Sequence, residues 1–416
     1  MTFLLGLAWR SLRNRRLISL LTAASIALSV ALLVGIEHVR LGVRESFAGT
    51  IKGTDLIVGA RGGTTQVLLS TVFGMATPSG TVSWATYERW AAHPAIKWTI
   101  PYALGDAHKG HRVIGTTAAF FAHYRFRDRS VTFASGGPPT DDRSIAIGWD
   151  VAQRLGYAVG TKVVLSHGVA AVSFAEHEAH PFTVSGVIAR TFTPIDRALY
   201  TTLDGLTAMH EDEEAAGGLM MGPPEAGHVP GQAPPITAFL VGTKNRFETL
   251  ALQREMNEDR TEPLTAIIPG VALAQLWQTI GSAEVGLRVV ALFTVLVGLT
   301  GMCVALYASL EARRREMAIL RAVGAGPRTI VALLVLESAL LAVLGAAAGV
   351  AIVYAGIALA AGAVEARFGL ALTLRPLGAL EWGYLALVVG AGTLVGLLPA
   401  WRAYRTSLTD GLAPKV

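Results

Sequence analysis

The chain is poor in charge and almost without cysteine. Only 16% of its 416 residues are charged while 52% are hydrophobic, and the mean hydropathy is +0.48. That balance excludes an ordinary water-soluble globular protein. A single cysteine, Cys303, lies inside an apolar run, which excludes an intrachain disulfide and a cysteine-based metal centre and reads as a buried, inert thiol. Lysine occurs six times, at 52, 97, 109, 162, 244 and 415, and never with the flanks of a G-x-x-x-x-G-K-[ST] loop, so the chain is not expected to hydrolyse ATP itself. Histidine is missing from the last 188 residues, all ten falling between His38 and His228. The net charge of +5 does not point to nucleic acid, because the arginines sit where a membrane orients them.

What the chain has instead is long apolar runs. A bilayer core of about 30 Å needs roughly 20 apolar residues of helix. The runs at 17–36, 285–308, 329–364 and 382–401 meet that length. The third is long enough to be either one strongly tilted or kinked helix or a span plus a short outer helix, in which case the break falls near Gly345 or Gly349. The first is longer than a signal-peptide core and is followed by no small-x-small site, so it is expected to stay as a span.

Arginine then sets orientation. Four precede the first run, five cluster between the second and third, and Arg402, Arg405 and Lys415 follow the fourth. Arg367 and Arg375, between the third and fourth, are offset by Glu365 and Glu381. Both termini are therefore expected in the cytoplasm and the stretch 37–284 on the far side of the membrane. Arg288 is expected to snorkel, and Trp382 and Trp401 to anchor at the interface. Residues 1–16 fit an amphipathic helix on the inner leaflet, and 402–416 form a cytoplasmic tail.

The stretch 37–284 has ordinary soluble composition. Short β-branched runs at 56–60, 111–117, 143–148, 161–166 and 181–188 predict strands, and 83–92, 150–156 and 245–259 predict helices, the last with Arg246, Leu250 and Arg254 on one face. Segment 211–235, rich in Gly, Pro and acid, reads as a flexible loop. The whole chain is thus expected to be a polytopic α-helical membrane protein, four spans with a large α+β extracytoplasmic domain between the first and second. The histidine-rich SHGVAAVSFAEHEAHP reads as a solvated loop between two strands, with His177 and His180 as weak metal candidates because their spacing matches no standard zinc pattern. The same solvated reading holds for Asp106, His108 and His111.

Between the second and third runs lies SLEARRREMAILRAVGAG. Glu311 and Arg315 form a favourable i,i+4 pair, Met317, Leu320 and Val323 recur at spacing three, and Gly324, Gly326 and Pro327 stop the helix. A positive-inside loop needs the arginines but not Glu316 or the apolar stripe. The run resembles the signature of the MacB/FtsX family of ABC transporter permeases, E-R-x-R-E-I-x-x-x-R-A-x-G-A. Glu311, Arg313, Arg315, Glu316, Met317, Arg321, Ala322, Gly324 and Ala325 match, and Ala312 departs. The C-terminal PAWRAYRTSLTDGL is similar to the family's closing motif at Pro399, Ala403 and Leu412, with Ser407 or Leu408 near the expected second proline. IAIGWDVAQRLGYAVGTKVVLS followed by FTVSGVI resembles its periplasmic core domain, with Thr161 in place of the usual aspartate.

The resemblance implies a non-catalytic inner-membrane permease, with ATP and Mg held by a partner ABC ATPase and no cofactor on this chain. It makes 309–328 a coupling helix that docks on that ATPase, with Met317 and Leu320 as apolar anchors and Glu311, Arg313, Arg314, Arg315, Glu316, Arg321 and Gly324 completing it. It implies a second permease copy, membrane lipid, and a periplasmic adaptor or substrate-binding protein as partners. Gly345-x-x-x-Gly349 and Gly392-x-x-x-Gly396 suit close helix contact. Glu337, an acid at membrane depth, is a candidate for packing or for coupling. Export of a periplasmic or membrane substrate, release of lipoproteins, and FtsX-like signalling to a cell-wall hydrolase all remain open, the domain's size favouring the first two.

Overall fold

Four helices are long and apolar enough to cross a bilayer in the computed structural model: Arg16–Thr50, Pro269–Ala308, Pro327–Val364 and Ala379–Trp401. The structure describes residues 2–167, 180–215, 235–312, 319, 325–368 and 373–405. The chain divides into a bundle, Met1–Gly42 with Gly281–Gly362 and Leu372–Val416, and a domain, Val43–Ile280 with Ala363–Ala371.

The first span helix shows why these segments belong in lipid. Ile26, Val30, Leu33 and Val34, at helical spacing, are buried in the bundle core with Val295, Leu299 and Met302 of the second helix, Leu341 and Val353 of the third, and Val388 of the fourth. Its other face is no more polar: Leu17, Leu20, Leu21 and Leu28 are all exposed. A helix apolar on every side needs an apolar surround.

The third span takes one of the two forms its length allowed, a single continuous helix, and the fourth differs from expectation. The third helix, Pro327–Phe368, passes Gly345 and Gly349 unbroken. Proline occupies only its first position, where the missing N–H costs nothing, and the glycines are packed against rather than opened. The fourth, expected as one helix over 382–401, is interrupted at Gly396 into Ala379–Val395 and Leu397–Arg405. Pro399 lacks the N–H that would bond the carbonyl of residue 395, so the ladder fails there and a new helix starts with Pro399 in its first turn.

The domain is built on thirteen strands among the described residues: β1 (Leu56–Ala60), β2 (Ile96–His108), β3 (His111–Thr116), β4 (Arg125–Phe126), β5 (Arg129–Ser130), β6 (Phe133–Gly136), β7 (Ser144–Ile147), β8 (Lys162–Val163), β9 (Ser166–His167), β10 (Phe182–Ile188), β11 (Leu199–Thr202), β12 (Ala238–Thr243) and β13 (Leu264–Ile267). Eleven join one mixed sheet along the path β13-β1-β12-β2-β3-β11-β7-β10-β6, with β8 beside β10 and β9 beside β2. The long β2 holds the sheet together. Ile96–Tyr102 pairs with β12 and Ala103–His108 with β3, the latter pairing shifting register between Leu104 and Ala107. One core, including Leu56, Val58, Phe239 and Val241, lies along the β1–β12 end. Another, with Ile145, Ile147, Phe182 and Leu199, lies along β7–β10–β11.

The expected helix over 245–259 is a 3₁₀ turn, Arg246–Glu248, followed by Thr249–Asn257. Arg246, Leu250 and Arg254 are exposed, and Leu252 and Met256 are buried. The expected loop 211–235 begins as helix, because Leu203–Ala215 runs through its first residues; 216–234 lie outside the described residues.

Asp259 ties the helix Trp84–Ala91 to the chain beyond residue 257. Burial alone would raise its carboxyl pKa, but bonds from Arg89 (2.6 Å), the Thr261 N–H (2.8 Å) and the Trp90 indole (2.9 Å) outweigh it and hold the group at about 2. A depressed carboxyl contributes stability above its unfolded pKa of about 3.9 and loses it as pH falls through the folded value. Arg89 is half exposed, so the contribution is on the order of 1 kcal/mol. Thermal unfolding of the chain followed by circular dichroism should show Asp259→Asn less stable than wild type at pH 7, with the two converging as pH falls from about 4 to about 2.

Candidate functional site

Ionisable side chains inside an apolar bundle are costly and mark function by default. Among the described residues the bundle has them buried in two places.

Toward the start of the third span, Glu337 is 2% exposed. With Arg15, Ser19 and Thr22 from the start of the first span helix, and Ala305 and Leu306 from the second, it lines a cavity of about 20 Å³, room for roughly one water. Ser338 beside it is fully buried and donates to the Val335 carbonyl at 2.8 Å.

At the opposite ends of the spans is a larger polar cluster. Glu37, one residue past the first apolar run, is 1% exposed. Its carboxylate accepts from Arg40 Nε at 3.1 Å and Nη2 at 2.5 Å, and from Arg288 Nη2 at 3.3 Å. Arg40 Nη1 reaches on to Glu284 at 3.2 Å. Glu37 and Arg40 are three apart and Glu284 and Arg288 four apart, so each helix presents its two groups on one face. Arg288, expected to snorkel, is turned inward by Glu37.

Glu381 does the same for the fourth helix. One carboxylate oxygen accepts from Arg375 Nη2 at 2.6 Å, and the other accepts the Gly378 N–H at 2.5 Å, satisfying a donor at the helix start. His38 Nδ1 lies 3.6 Å from that carboxylate, and the ring meets Tyr354 edge-on at 5.6 Å. Neither ring nitrogen of His38 has a hydrogen bond. The Tyr354 hydroxyl donates to the Arg375 carbonyl at 2.7 Å. All four span helices, or the turn that starts them, thus contribute to one cluster. Its three carboxylates and three guanidiniums balance in formal charge. Sequence spacing carried a signal for half of this: Glu37-x-x-Arg40 and Glu284-x-x-x-Arg288 each flank an apolar run. That the two pairs meet required the fold.

The four glycines face neighbouring helices of the same chain. A Cβ at Gly345 would stand 2.7 Å from the Ile26 side chain, and one at Gly349 2.6 Å from the Ala27 carbonyl. At Gly392 it would meet Ala342 at 2.7 Å, and at Gly396 the Ser338 hydroxyl at 2.0 Å. They let the third helix approach the first and the fourth, and are spent inside one copy. Ser29 adds a polar contact, its hydroxyl lying 2.9 Å from the Ser25 carbonyl and 3.0 Å from the Thr294 carbonyl of the second helix.

Of the coupling residues, Glu311 falls at the end of the helix Pro269–Ala312; Arg313, Arg314, Arg315, Glu316, Met317, Leu320, Arg321 and Gly324 lie outside the described residues, as does His177. His180 is buried against Phe182, with Nε2 3.0 Å from the Asp142 carbonyl. His108 is bonded through Nδ1 to the Val164 carbonyl and through Nε2 to Tyr157. It and Asp106 are buried rather than solvated. No metal-holding group of His, Cys, Asp and Glu occurs among the described residues.

Comparison with known proteins places both halves. The family model described as FtsX-like permease C-terminal matches residues 288–408, and that described as MacB-like periplasmic core domain matches residues 19–226. Among solved structures, the periplasmic region of MacB from Actinobacillus actinomycetemcomitans is similar at 10% identity, covering 56% of this chain and 95% of its own, with a TM-score of 0.34. The extracellular domain of the noncanonic ABC-type transporter YknZ from Gram-positive bacteria is similar at 10% identity, covering 51% and 99%, with a TM-score of 0.30. No curated protein matches the chain.

Removing one member of a buried ion cluster strands its partners, at a cost on the order of 3 kcal/mol. Glu37→Gln should therefore lower the unfolding midpoint of the purified chain in detergent. Replacing Glu258, whose pair with Arg254 is exposed, should leave that midpoint unchanged.

Proposed function

The chain belongs to the MacB/FtsX-type permease family of ABC transporters, and from that membership we propose that it is a permease subunit coupling ATP hydrolysis by a separate ATPase to movement of its extracytoplasmic domain. The observation that carries this is the presence in one chain of both family matches, 19–226 and 288–408, around four apolar helices. The family supplies the permease component and implies an ABC ATPase as partner. The rest is our reading.

In this reading residues 309–328 dock on the ATPase at the cytoplasmic face, Met317 and Leu320 entering an apolar groove and the arginines meeting acidic residues or lipid phosphate. ATP binding draws two permease copies together and moves the first and second spans, through which the chain enters and leaves the domain. The buried cluster keeps the spans in step: Glu37 and Arg40 on the first cannot leave Glu284 and Arg288 on the second without stranding charge. Glu337 packs the third span against the first near the docking end. Domain movement then drives export or extrusion of a periplasmic or membrane substrate; release of lipoproteins uses the same machinery with a different cargo.

The docking step is testable by co-expression with a candidate ABC ATPase subunit from the same organism. Met317→Asp with Leu320→Asp should abolish co-purification of the ATPase while membrane insertion and melting of the permease are unchanged. Co-purification that survives the double substitution would show that docking lies elsewhere.

A further inference from the structure

The domain contains a cavity of about 400 Å³, within the size range of small-molecule pockets. Its lining is one-sided in charge. Among the described residues, four basic ones, His111, Arg112, Arg154 and Arg197, contribute to it, and no aspartate or glutamate does. Opposite in character are Phe47 and Phe73, stacked at 4.6 Å, and the rings of Tyr102, Tyr124 and Tyr200, each less than 5% exposed.

Arg112 and Arg197 are held with donors to spare. Arg112 passes the turn at Gly74, whose backbone is left-handed (φ +63°) and where a Cβ would come 3.3 Å from Arg112 Cδ. Its Nη atoms reach the carbonyls of Ala76 (3.1 Å) and Ser70 (3.5 Å), while Nε is buried with no hydrogen bond. Arg197 has two such orphans, Nε and Nη2; Asp150 stands 3.6 Å from Nε, beyond a hydrogen bond. Buried donors without acceptors are uncommon and call for an explanation. His111 donates from Nδ1 to the Arg197 carbonyl at 3.0 Å, and burial lowers its pKa. Burial pushes all three phenols above their ordinary range, so they remain O–H groups; that of Tyr124 is spent on the Thr50 carbonyl at 2.8 Å.

We infer that this cavity binds an amphipathic anion, its apolar body against Phe47, Phe73 and the tyrosine rings and its carboxylate or phosphate accepting from Arg112 and Arg197. A cation would meet four basic groups and no acid. A bare inorganic anion would leave the aromatic wall empty, and a neutral apolar molecule would leave the buried guanidinium donors unpaired. Guanidinium suits this task because its fork presents paired N–H groups to a carboxylate or phosphate. The assignment concerns binding by the domain and does not rest on transport or on the ATPase.

The test is displacement of a fluorescent fatty acid, dansylaminoundecanoate, from the full chain in zwitterionic nanodiscs, with empty nanodiscs as the baseline. Decanoate or decyl phosphate should displace it saturably, and the tighter of the two identifies the preferred headgroup. Decanol, decyltrimethylammonium and inorganic phosphate should be weaker by roughly tenfold or more. Arg112→Gln with Arg197→Gln should weaken decanoate by a similar factor with the melting curve retained. Where that variant does not fold, Tyr200→Phe paired with Phe73→Trp, which keeps the basic rim and crowds the apolar wall, should lower affinity in its place. Absence of saturable displacement, decanol binding as tightly as decanoate, or arginine variants that fold and bind like wild type would each overturn the proposal.

Discussion

Where helices leave a bilayer, a charge must either reach water or find its counter-charge inside the protein, and this chain takes the second course. Glu37 collects Arg40 and Arg288, Arg40 holds Glu284, and Glu381 holds Arg375 beside His38. An isolated charge at 1–2% exposure would not be tolerated, so each group fixes the position of the next. The cluster thereby specifies which helices are neighbours at that end of the bundle, a task that leucine and valine faces perform poorly because they pack in many registers.

Along the rest of the spans, shape takes over from charge. Gly345 and Gly349 admit the first helix to van der Waals contact with the third, and Gly392 and Gly396 admit the third to the fourth. The break at Gly396 combines two constraints, close approach to Ser338 and the missing N–H of Pro399, at one residue. Glu337 sits where three helices surround a water-sized space. Charge thus holds one end of the bundle, small residues its length, and a buried acid lies near the other end.

Legibility in the sequence followed the range of each signal. The four spans read directly, because about 20 apolar residues have few alternatives, and so did strands such as Leu56–Ala60 and Phe182–Ile188. The longest strand, Ile96–His108, went unread: Pro101 demotes a run that otherwise looks like strand, yet here it lies opposite Phe239 in the ladder. The helix within 245–259 was legible, but not the 3₁₀ turn Arg246–Glu248 that opens it, which a helical period does not distinguish. The ion pairs within single helices were visible as spacings. Their assembly into one cluster, and the gathering of His111, Arg112, Arg154 and Arg197 around one cavity, depend on contacts between residues far apart in sequence, which no local pattern encodes.

The central claim is that ATP binding by a partner on one side of the membrane alters the domain on the other. Phe247 is 92% exposed in the domain, and Cys303 is the chain's single thiol. A Phe247→Cys label in a Cys303→Ser chain, reconstituted in nanodiscs with the partner ATPase, offers a direct reading through an environment-sensitive fluorophore. The account predicts a change in fluorescence on adding ATP with vanadate when the ATPase is present, and none when it is omitted. An unchanged signal from a complex that hydrolyses ATP would contradict it.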